Sequence, residues 1–304
     1  MPFSMWECKN VSIYSKVICM NIKETIKKGM IDLKVNGISE PSLKARLIMQ
    51  YILNEPRQYV LVHDAQNLTL RQEVNYFKAI KKLIKGIPIQ HITHMQEFMK
   101  MNFYVNEDVL IPRPDTEVLV EEVIEIAKKI NAKKILDMCT GSGAIAVSLA
   151  KYIEGSHITA VDISSNALNI AKRNAINNSV QDQITFVNSN LFENLVGQKY
   201  DIIVSNPPYI KKDEIKLLNK EVRREPIIAL DGGKDGLNFY REIIDCGFEY
   251  LKFNGYLCLE IGYDQKIDVI ELIENSKNYG CTYLKKDLYG NDRVVICKLC
   301  VDKS

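Results

Sequence analysis

The sequence of 304 residues lacks the marks of a membrane or secreted protein. No apolar run approaches the ~18 residues that a membrane-spanning helix needs. Glu7, Lys9 and Lys16 interrupt the apolar positions of residues 1–20, so this stretch does not have the pattern of a signal peptide. We expect a cytoplasmic protein in which residues 1–20 are either a disordered extension or the product of a little-used upstream start.

Metal ligands are scarce as well. The four histidines form no HExxH or similar pattern, and His91 and His94 lack a carboxylate partner. Cys297 and Cys300 form a lone C-x-x-C pair, whereas a zinc site needs about four ligands. The eight cysteines are scattered, as is typical of reduced thiols in the cytosol. We expect no metal site and no redox role for these cysteines.

The formal net charge of +2 is small but unevenly distributed. Residues 21–90 carry 12 Lys and Arg against 6 Asp and Glu. Such a basic segment suits an acidic partner, either a nucleic acid or an acidic protein surface. A set of solvated helix faces explains the same surplus equally well.

Residues 21–90 have the pattern of a small helical bundle without catalytic residues of its own. Pro41 can open a helix. Its apolar residues are predicted to share one face: Leu43, Leu47, Ile48, Tyr51 and Ile52. Thr69 and Gln72 fit a capping box at the start of a later helix, and Gly86 ends that helix.

Residues 91–114 are predicted to form a β-hairpin linker. Apolar residues flank Asn106-Glu107-Asp108, which has the composition of a turn. The prolines and acidic residues of 112–117 then begin a helix that runs to about Ile130.

Over residues 115–304 the chain has the pattern of an α/β domain. Short apolar strands rich in β-branched residues alternate with helices, as expected for a doubly wound, seven-stranded, mostly parallel sheet. The predicted strands are 135–137, 158–162, 184–187, 201–204, 255–261, 282–287 and 294–300.

The first chemical signal is the loop Asp137-Met138-Cys139-Thr140-Gly141-Ser142-Gly143, after the first of these strands. Gly141 and Gly143 allow the backbone to approach a ligand, and the helix N-terminus behind them favours a carboxylate. Asp162 ends the next strand, where an acid can accept both hydroxyls of a ribose. Asp137, lower in the same pocket, can hold an ammonium group.

The loop lacks the third glycine of the dinucleotide fingerprint G-x-G-x-x-G, because Ala146 stands in its place. The spacing therefore matches S-adenosylmethionine sites better than NAD sites. On this loop alone, a nucleotide site and a purely structural turn remain open alternatives.

The second signal is Asn206-Pro207-Pro208-Tyr209, directly after the fourth predicted strand, so it should face the same crevice. Amide and exocyclic amine nitrogens are poor nucleophiles because their lone pairs are delocalised. The Asn206 side-chain oxygen and the Pro207 carbonyl can accept both NH₂ hydrogens and aim the lone pair at a methyl donor. Tyr209 can stack on the planar group. The structural alternative is a stiff Asn-Pro turn.

Together the two signals resemble class I methyltransferases with an NPPY loop, a group that includes DNA adenine and protein glutamine methyltransferases. Further segments resemble the release factor glutamine methyltransferases, the PrmC/HemK family. They are Phe98, residues 110–117, 140–146 and 206–210, Glu225-Pro226, Ala229-Leu230, residues 233–237 and Tyr240. The resemblance covers about residues 21–300.

The resemblance implies methylation of the glutamine amide in the Gly-Gly-Gln motif of peptide chain release factors, with S-adenosylmethionine as cofactor. The cofactor residues that it implies are Asp137, Cys139, Thr140, Gly141, Ser142, Gly143, Asp162, Asn190, Leu191 and Asn206. The implied substrate residues are Asn206, Pro207, Pro208 and Tyr209, and all of these except Pro208 are also catalytic. Residues 21–90 would dock the release factor, with no nucleic acid bound and the protein a monomer.

Three residues depart from the family's usual pattern. Cys139 stands where glycine is usual and adds bulk beside the cofactor. Asn190 stands where an acid is common, although its amide oxygen can still accept the adenine amino hydrogens. His94 stands where glycine is frequent, and the sequence offers no physical account of it.

Two other readings remain. A DNA adenine methyltransferase needs a basic recognition region, and the basic residues of 211–230 span too short a segment for one. A non-enzymatic adaptor that only binds the cofactor would not need Asn206 and Tyr209.

Overall fold

The computed structural model describes residues 19–300, so residues 1–18 of the expected extension lie outside it, as do residues 301–304. The chain divides into two compact units between Lys85 and Gly86. The first unit is helical and contains α1 (Ile22–Val35), α2 (Pro41–Leu53), α3 (Arg57–Val62) and α4 (Leu70–Ile84).

Side-chain caps define where two of these helices begin. The predicted capping box of α4 is confirmed, since Gln72 N donates to Thr69 Oγ1 at 3.3 Å and Thr69 N donates to Gln72 Oε1 at 2.9 Å. A second box, between Asn21 and Glu24, opens α1. Each N-cap of this kind contributes about 1 kcal/mol by satisfying backbone donors that the first turn leaves free.

The buried face of α2 differs from the predicted one. Ile48 is buried as expected, together with Ala45 and Met49. Three residues of the predicted apolar face are instead exposed: Leu43, Leu47 and Tyr51. The small side chain of Ala45 lets the helices approach closely, and its carbonyl accepts a hydrogen bond from the buried Tyr76 hydroxyl at 3.2 Å. The face of α2 that packs against the other helices is therefore the one beside the more apolar face.

The second unit begins with a short helix and the predicted hairpin, but the turn of that hairpin is not where it was expected. It lies at Met99–Lys100, both with positive φ, rather than at Asn106–Asp108. The latter residues form a separate turn in which Asp108 N donates to Asn106 Oδ1 at 3.0 Å. The elements are α5 (Ile89–Thr93), β1 (Gln96–Phe98) and β2 (Met101–Phe103).

The predicted doubly wound sheet is confirmed. Its strands are β3 (Lys134–Met138), β4 (His157–Asp162), β5 (Ile184–Asn188), β6 (Tyr200–Ser205), β7 (Leu251–Glu260), β8 (Tyr279–Lys286) and β9 (Asp292–Leu299). They are ordered β5-β4-β3-β6-β7-β9-β8. Strand β9 runs antiparallel to both of its neighbours, β7 and β8, and the other neighbouring strands are parallel. The order reverses between β3 and β6, which is where open α/β sheets bind ligands.

Helices cover both faces of this sheet. They are α6 (Pro114–Ile130), α7 (Ala144–Tyr152), α8 (Ser165–Asn177), α9 (Asn238–Gly247) and α10 (Lys266–Ser276). Residues of α6, α7 and α8 pack in one apolar cluster, and residues of α9 and α10 pack in the other. Between residues 19 and 300, no helix is both long enough and apolar enough to cross a membrane.

Candidate active site

A cavity opens at the carboxyl ends of β3, β4 and β6, at the point where the strand order reverses. About 940 Å³ of empty space lies within it, part of which is open to solvent. The predicted site residues on its wall are Cys139, Thr140, Gly141, Ser142, Asp162, Asn190, Leu191, Asn206 and Pro208. Among the described residues, the wall does not include Asp137, Gly143, Pro207 or Tyr209.

Asp137 lies beneath the glycine loop and holds its shape. Its Oδ2 accepts hydrogen bonds from the Thr140 hydroxyl and from the Ala146 amide. Its Oδ1 has no hydrogen-bond partner among residues 19–300. Burial raises the pKa of this carboxyl to about 7, although both hydrogen bonds oppose the shift. A carboxyl in this position supports the glycine loop from beneath the cavity wall.

The two glycines of the loop have different surroundings. Both have positive φ, which favours glycine. A Cβ on Gly141 would meet no described atom within 4 Å, and Gly141 lines the cavity. A Cβ on Gly143 would lie 2.9 Å from Ala171 Cβ, so Gly143 allows the start of α7 to pack against α8. Gly141 therefore leaves room for a ligand, whereas Gly143 leaves room for the protein itself.

Asp162 ends β4 and closes the other side of the glycine loop. Its Oδ2 accepts a hydrogen bond from Gly141 N at 2.8 Å, and its Oδ1 accepts one from Ser164 N at 2.9 Å. The Ile163 amide also hydrogen-bonds this carboxylate, which can accept about four hydrogen bonds, so a position is left for a hydroxyl group. Asn190 Nδ2 donates to Glu193 Oε1 at 2.8 Å, which leaves the amide oxygen of Asn190 available as an acceptor.

Asn206 follows β6 directly and faces the first turn of α6. Its Nδ2 donates to Thr116 Oγ1 at 3.1 Å, so its Oδ1 is left to accept hydrogen bonds. The preceding Ser205 Oγ donates to the Met138 carbonyl at 2.7 Å and ties this loop to the one after β3. An amide oxygen held in this way can grip an NH₂ group in the cavity.

Tyr209 is not among the residues that line the cavity. Its ring packs against the apolar cluster that covers α9, and its carbonyl accepts a hydrogen bond from Gln265 Nε2 at 3.0 Å. Burial and the nearby Glu260 carboxylate raise the pKa of its hydroxyl. In this structure the residue supports the loop that carries Asn206, and its expected stacking on a substrate stays a prediction.

Several wall residues were not assigned a role from the sequence. Arg113 and Thr116 come from the start of α6, and Ile228, Ala229 and Phe239 come from the segment after Tyr209. Buried Glu225 joins the two regions, because it accepts a hydrogen bond from Ile111 N at 2.9 Å and forms an ion pair with Arg113. The sequence shows the motifs that contain these residues, but it does not predict that they meet at one cavity.

The described residues contain no group of three or more His, Cys, Asp and Glu side chains arranged to hold a metal ion. Cys297 is buried in β9 and Cys300 is exposed, and neither forms a disulfide within residues 19–300. The polar groups that line the cavity are amides, hydroxyls, carboxylates and the guanidinium of Arg113.

Comparison with known proteins identifies the family to which the chain belongs. Residues 24–93 match the family model of the PrmC N-terminal domain, and residues 114–224 match that of the methyltransferase small domain. A release factor glutamine methyltransferase of Clostridium acetobutylicum is 39% identical over 280 residues, covering 91% of this chain and 98% of the relative. One of Clostridium botulinum is 37% identical over 279 residues, covering 91% and 98%. A methyltransferase structure from Pyrococcus furiosus, 17% identical, shares the fold with a TM-score of 0.50 over 77% of this chain and 100% of that one. The chain belongs to the family of release factor glutamine methyltransferases.

Proposed function

We propose that this protein uses S-adenosylmethionine to methylate the side-chain amide nitrogen of a glutamine in peptide chain release factors, within their Gly-Gly-Gln motif. The observation that carries the proposal is the Asn206 amide, whose Nδ2 is bound by Thr116 while its Oδ1 is left as an acceptor at the cavity wall. The relatives, which are release factor glutamine methyltransferases, supply the substrate class.

The residues around the cavity fit the cofactor. Asp162 would accept the ribose hydroxyls, and the open space at Gly141 would admit the amino acid part near the N-terminus of α7, which favours its carboxylate. The free Oδ1 of Asp137 would attract the ammonium group through the loop. When bound, the cofactor supplies an electrophilic methyl group on sulfur.

The protein's contribution to the reaction is positioning. Asn206 Oδ1 and the Pro207 carbonyl would accept the two amide hydrogens of the glutamine, which directs the nitrogen lone pair toward the methyl group. No strong base is needed before transfer, because the nitrogen becomes acidic only as the N–C bond forms and the S–C bond of the donor breaks. The extra proton would then pass to water. Holding two reacting groups in this way can lower a barrier by about 7–11 kcal/mol in favourable cases.

A labelling experiment tests the proposal. The purified protein is incubated with methyl-labelled S-adenosylmethionine and either a release factor or adenine-containing duplex DNA. We expect label on the release factor, and none on a variant whose Gly-Gly-Gln glutamine is replaced. Label on the DNA alone would contradict the proposal and favour an adenine methyltransferase.

A further inference from the structure

We propose that Thr116 and Glu260 are positioning residues that fix which way round the Asn206 amide is held. The inference rests on the proposed function. Neither residue belongs to the segment after β6: Thr116 lies in the first turn of α6, and Glu260 is the last residue of β7. Ser205 pairs with Leu259, so Asn206 and Glu260 are the next residues on adjacent parallel strands.

Two contacts link the three side chains. Asn206 Nδ2 donates to Thr116 Oγ1 at 3.1 Å, and the Thr116 hydroxyl lies close enough to the Glu260 carboxyl to favour its charged form and lower its pKa. Thr116 and Glu260 are 4% and 1% exposed, so water does not compete for these groups. An ionised carboxylate can only accept, which turns the single hydroxyl hydrogen of Thr116 toward Glu260. The Thr116 lone pairs are then left for Asn206.

This direction matters because an asparagine amide has nearly the same shape when its oxygen and nitrogen are exchanged. If Thr116 donated to Asn206, the amide would turn and present its NH₂ group to the cavity. Two hydrogen-bond donors, the Asn206 NH₂ and the substrate NH₂, would then face each other. The hydrogen bond that holds the substrate would be replaced by a repulsive contact. The charge on Glu260 therefore determines whether Asn206 presents its oxygen or its NH₂ group to the substrate.

The surroundings of Glu260 suit this role better than a role in stability. Its Oε2 has no hydrogen-bond partner among the described residues. Arg293 from β9 and Arg113 before α6 favour its charged form, while Asp115 opposes it. The buried hydroxyls of Tyr209 and Tyr240 also lie within its electrostatic reach. Burial dominates and raises the pKa to about 7, so the carboxylate is kept at a cost to folding.

Two substitutions at Thr116 provide the main test. Thr116→Val keeps the shape but removes the hydroxyl, and we expect kcat for release factor methylation to fall about 10- to 100-fold. The KM for S-adenosylmethionine should change by less than about threefold, because the cofactor residues are untouched. Thr116→Ser restores the hydroxyl and should restore most of kcat. Equal losses in both variants, or no loss in Thr116→Val, would overturn the proposal.

Glu260→Gln adds a pH readout. In the wild type, protonated Glu260 can donate to Thr116, so kcat at saturating cofactor should fall between pH 8 and pH 6. The neutral Glu260→Gln protein should have a low kcat at both values and a flatter profile. A wild-type-like profile in this variant would count against the role of Glu260.

A matched control and a second measurement separate this proposal from the proposed function. Thr159→Val removes another buried hydroxyl, on β4 and away from Asn206, and should leave kcat unchanged. The hydrogen exchange of the Asn206 side-chain NH₂, followed by NMR, should be faster by about tenfold or more in Thr116→Val. Unchanged exchange overturns the positioning role whether or not a release factor is methylated, whereas an inactive wild type refutes only the proposed function.

Discussion

At the scale of single residues, the buried carboxyl of Asp137 makes the stability of the protein depend on pH. Its pKa is raised from 3.8 to about 7 by burial, so the folded protein holds this proton more tightly than the unfolded chain. The free energy of unfolding that this group contributes is fully present below its unfolded pKa. It is lost as the pH rises through the folded pKa, near 7.

Asp137→Asn should therefore raise the Tm of the cofactor-free protein at pH 8 by on the order of 2–4 °C, and should weaken its decline between pH 5 and pH 8. The variant keeps an acceptor for Thr140 and Ala146 but loses the charge, so it should also bind S-adenosylmethionine less tightly. Thermal unfolding and calorimetry measure the two effects.

Asp201→Asn is a control of opposite sign. The pKa of Asp201 is lowered, with hydrogen bonds from Lys252 and the amides of Lys133 and Lys134 opposing its partial burial. Its loss should lower the Tm at pH 8. A lower Tm at pH 8 in Asp137→Asn as well would show that the Asp137 charge stabilises the fold.

Asn206→Ala should lower kcat about 100- to 1000-fold, as expected when one positioned hydrogen-bonding group is removed from a reacting centre. Because Asp162 and the glycine loop remain, the dissociation constant of S-adenosylmethionine should change by less than about threefold. Single-turnover methyl transfer and calorimetry measure these values. Transfer that persists within tenfold of the wild type would refute the role given to the Asn206 oxygen.

At the scale of elements, the two loop glycines should respond differently to alanine. Both substitutions place a Cβ at positive φ, which costs roughly 1 kcal/mol. Gly143→Ala also pushes α7 against Ala171 and should lower the Tm further. Gly141→Ala meets no described atom within 4 Å, so its main effect should be weaker cofactor binding.

Thermal unfolding without cofactor and calorimetry with it separate these effects, and each variant serves as the control for the other. Equal losses of Tm in the two variants, with equal losses of affinity, would contradict the division of roles between Gly141 and Gly143.

Elements with a repeated local signal could be predicted from the sequence, whereas contacts between distant elements could not. The strands of the sheet are runs of buried β-branched residues, and Thr69 and Gln72 carry their cap within four residues. The hairpin turn at Met99–Lys100 has no turn residues, because the pairing of the flanking strands imposes it. The Asn206–Thr116 hydrogen bond joins residues 90 apart in sequence, so only the packing of α6 creates it.

At the scale of the whole molecule, the positive charge of the first unit suits it to bind an acidic partner. We propose that residues 21–90 dock the release factor, with the exposed Lys78, Lys81 and Lys82 of α4 among the contacts. Exchanging these three for glutamate should raise the KM for the release factor about tenfold or more. The KM for S-adenosylmethionine should not change.

Salt provides the control for this prediction. The wild-type KM for the release factor should rise with ionic strength, and that of the triple variant should rise less. Unchanged kinetics in the variant would show that these lysines are solvated surface residues without a role in docking.

The pairing of β3 with β6 determines how precisely the two reacting groups can be spaced. Met138 is in register with Ser205, and the Ser205 hydroxyl donates a hydrogen bond to the Met138 carbonyl. The two loops that we propose bind the methyl donor and the methyl acceptor therefore leave the sheet side by side. Reacting atoms must come within about 3–3.5 Å of each other. A slip of one residue between the strands would move Asn206 by about 3.3 Å. The register of the sheet thus fixes the distance between the two reactants.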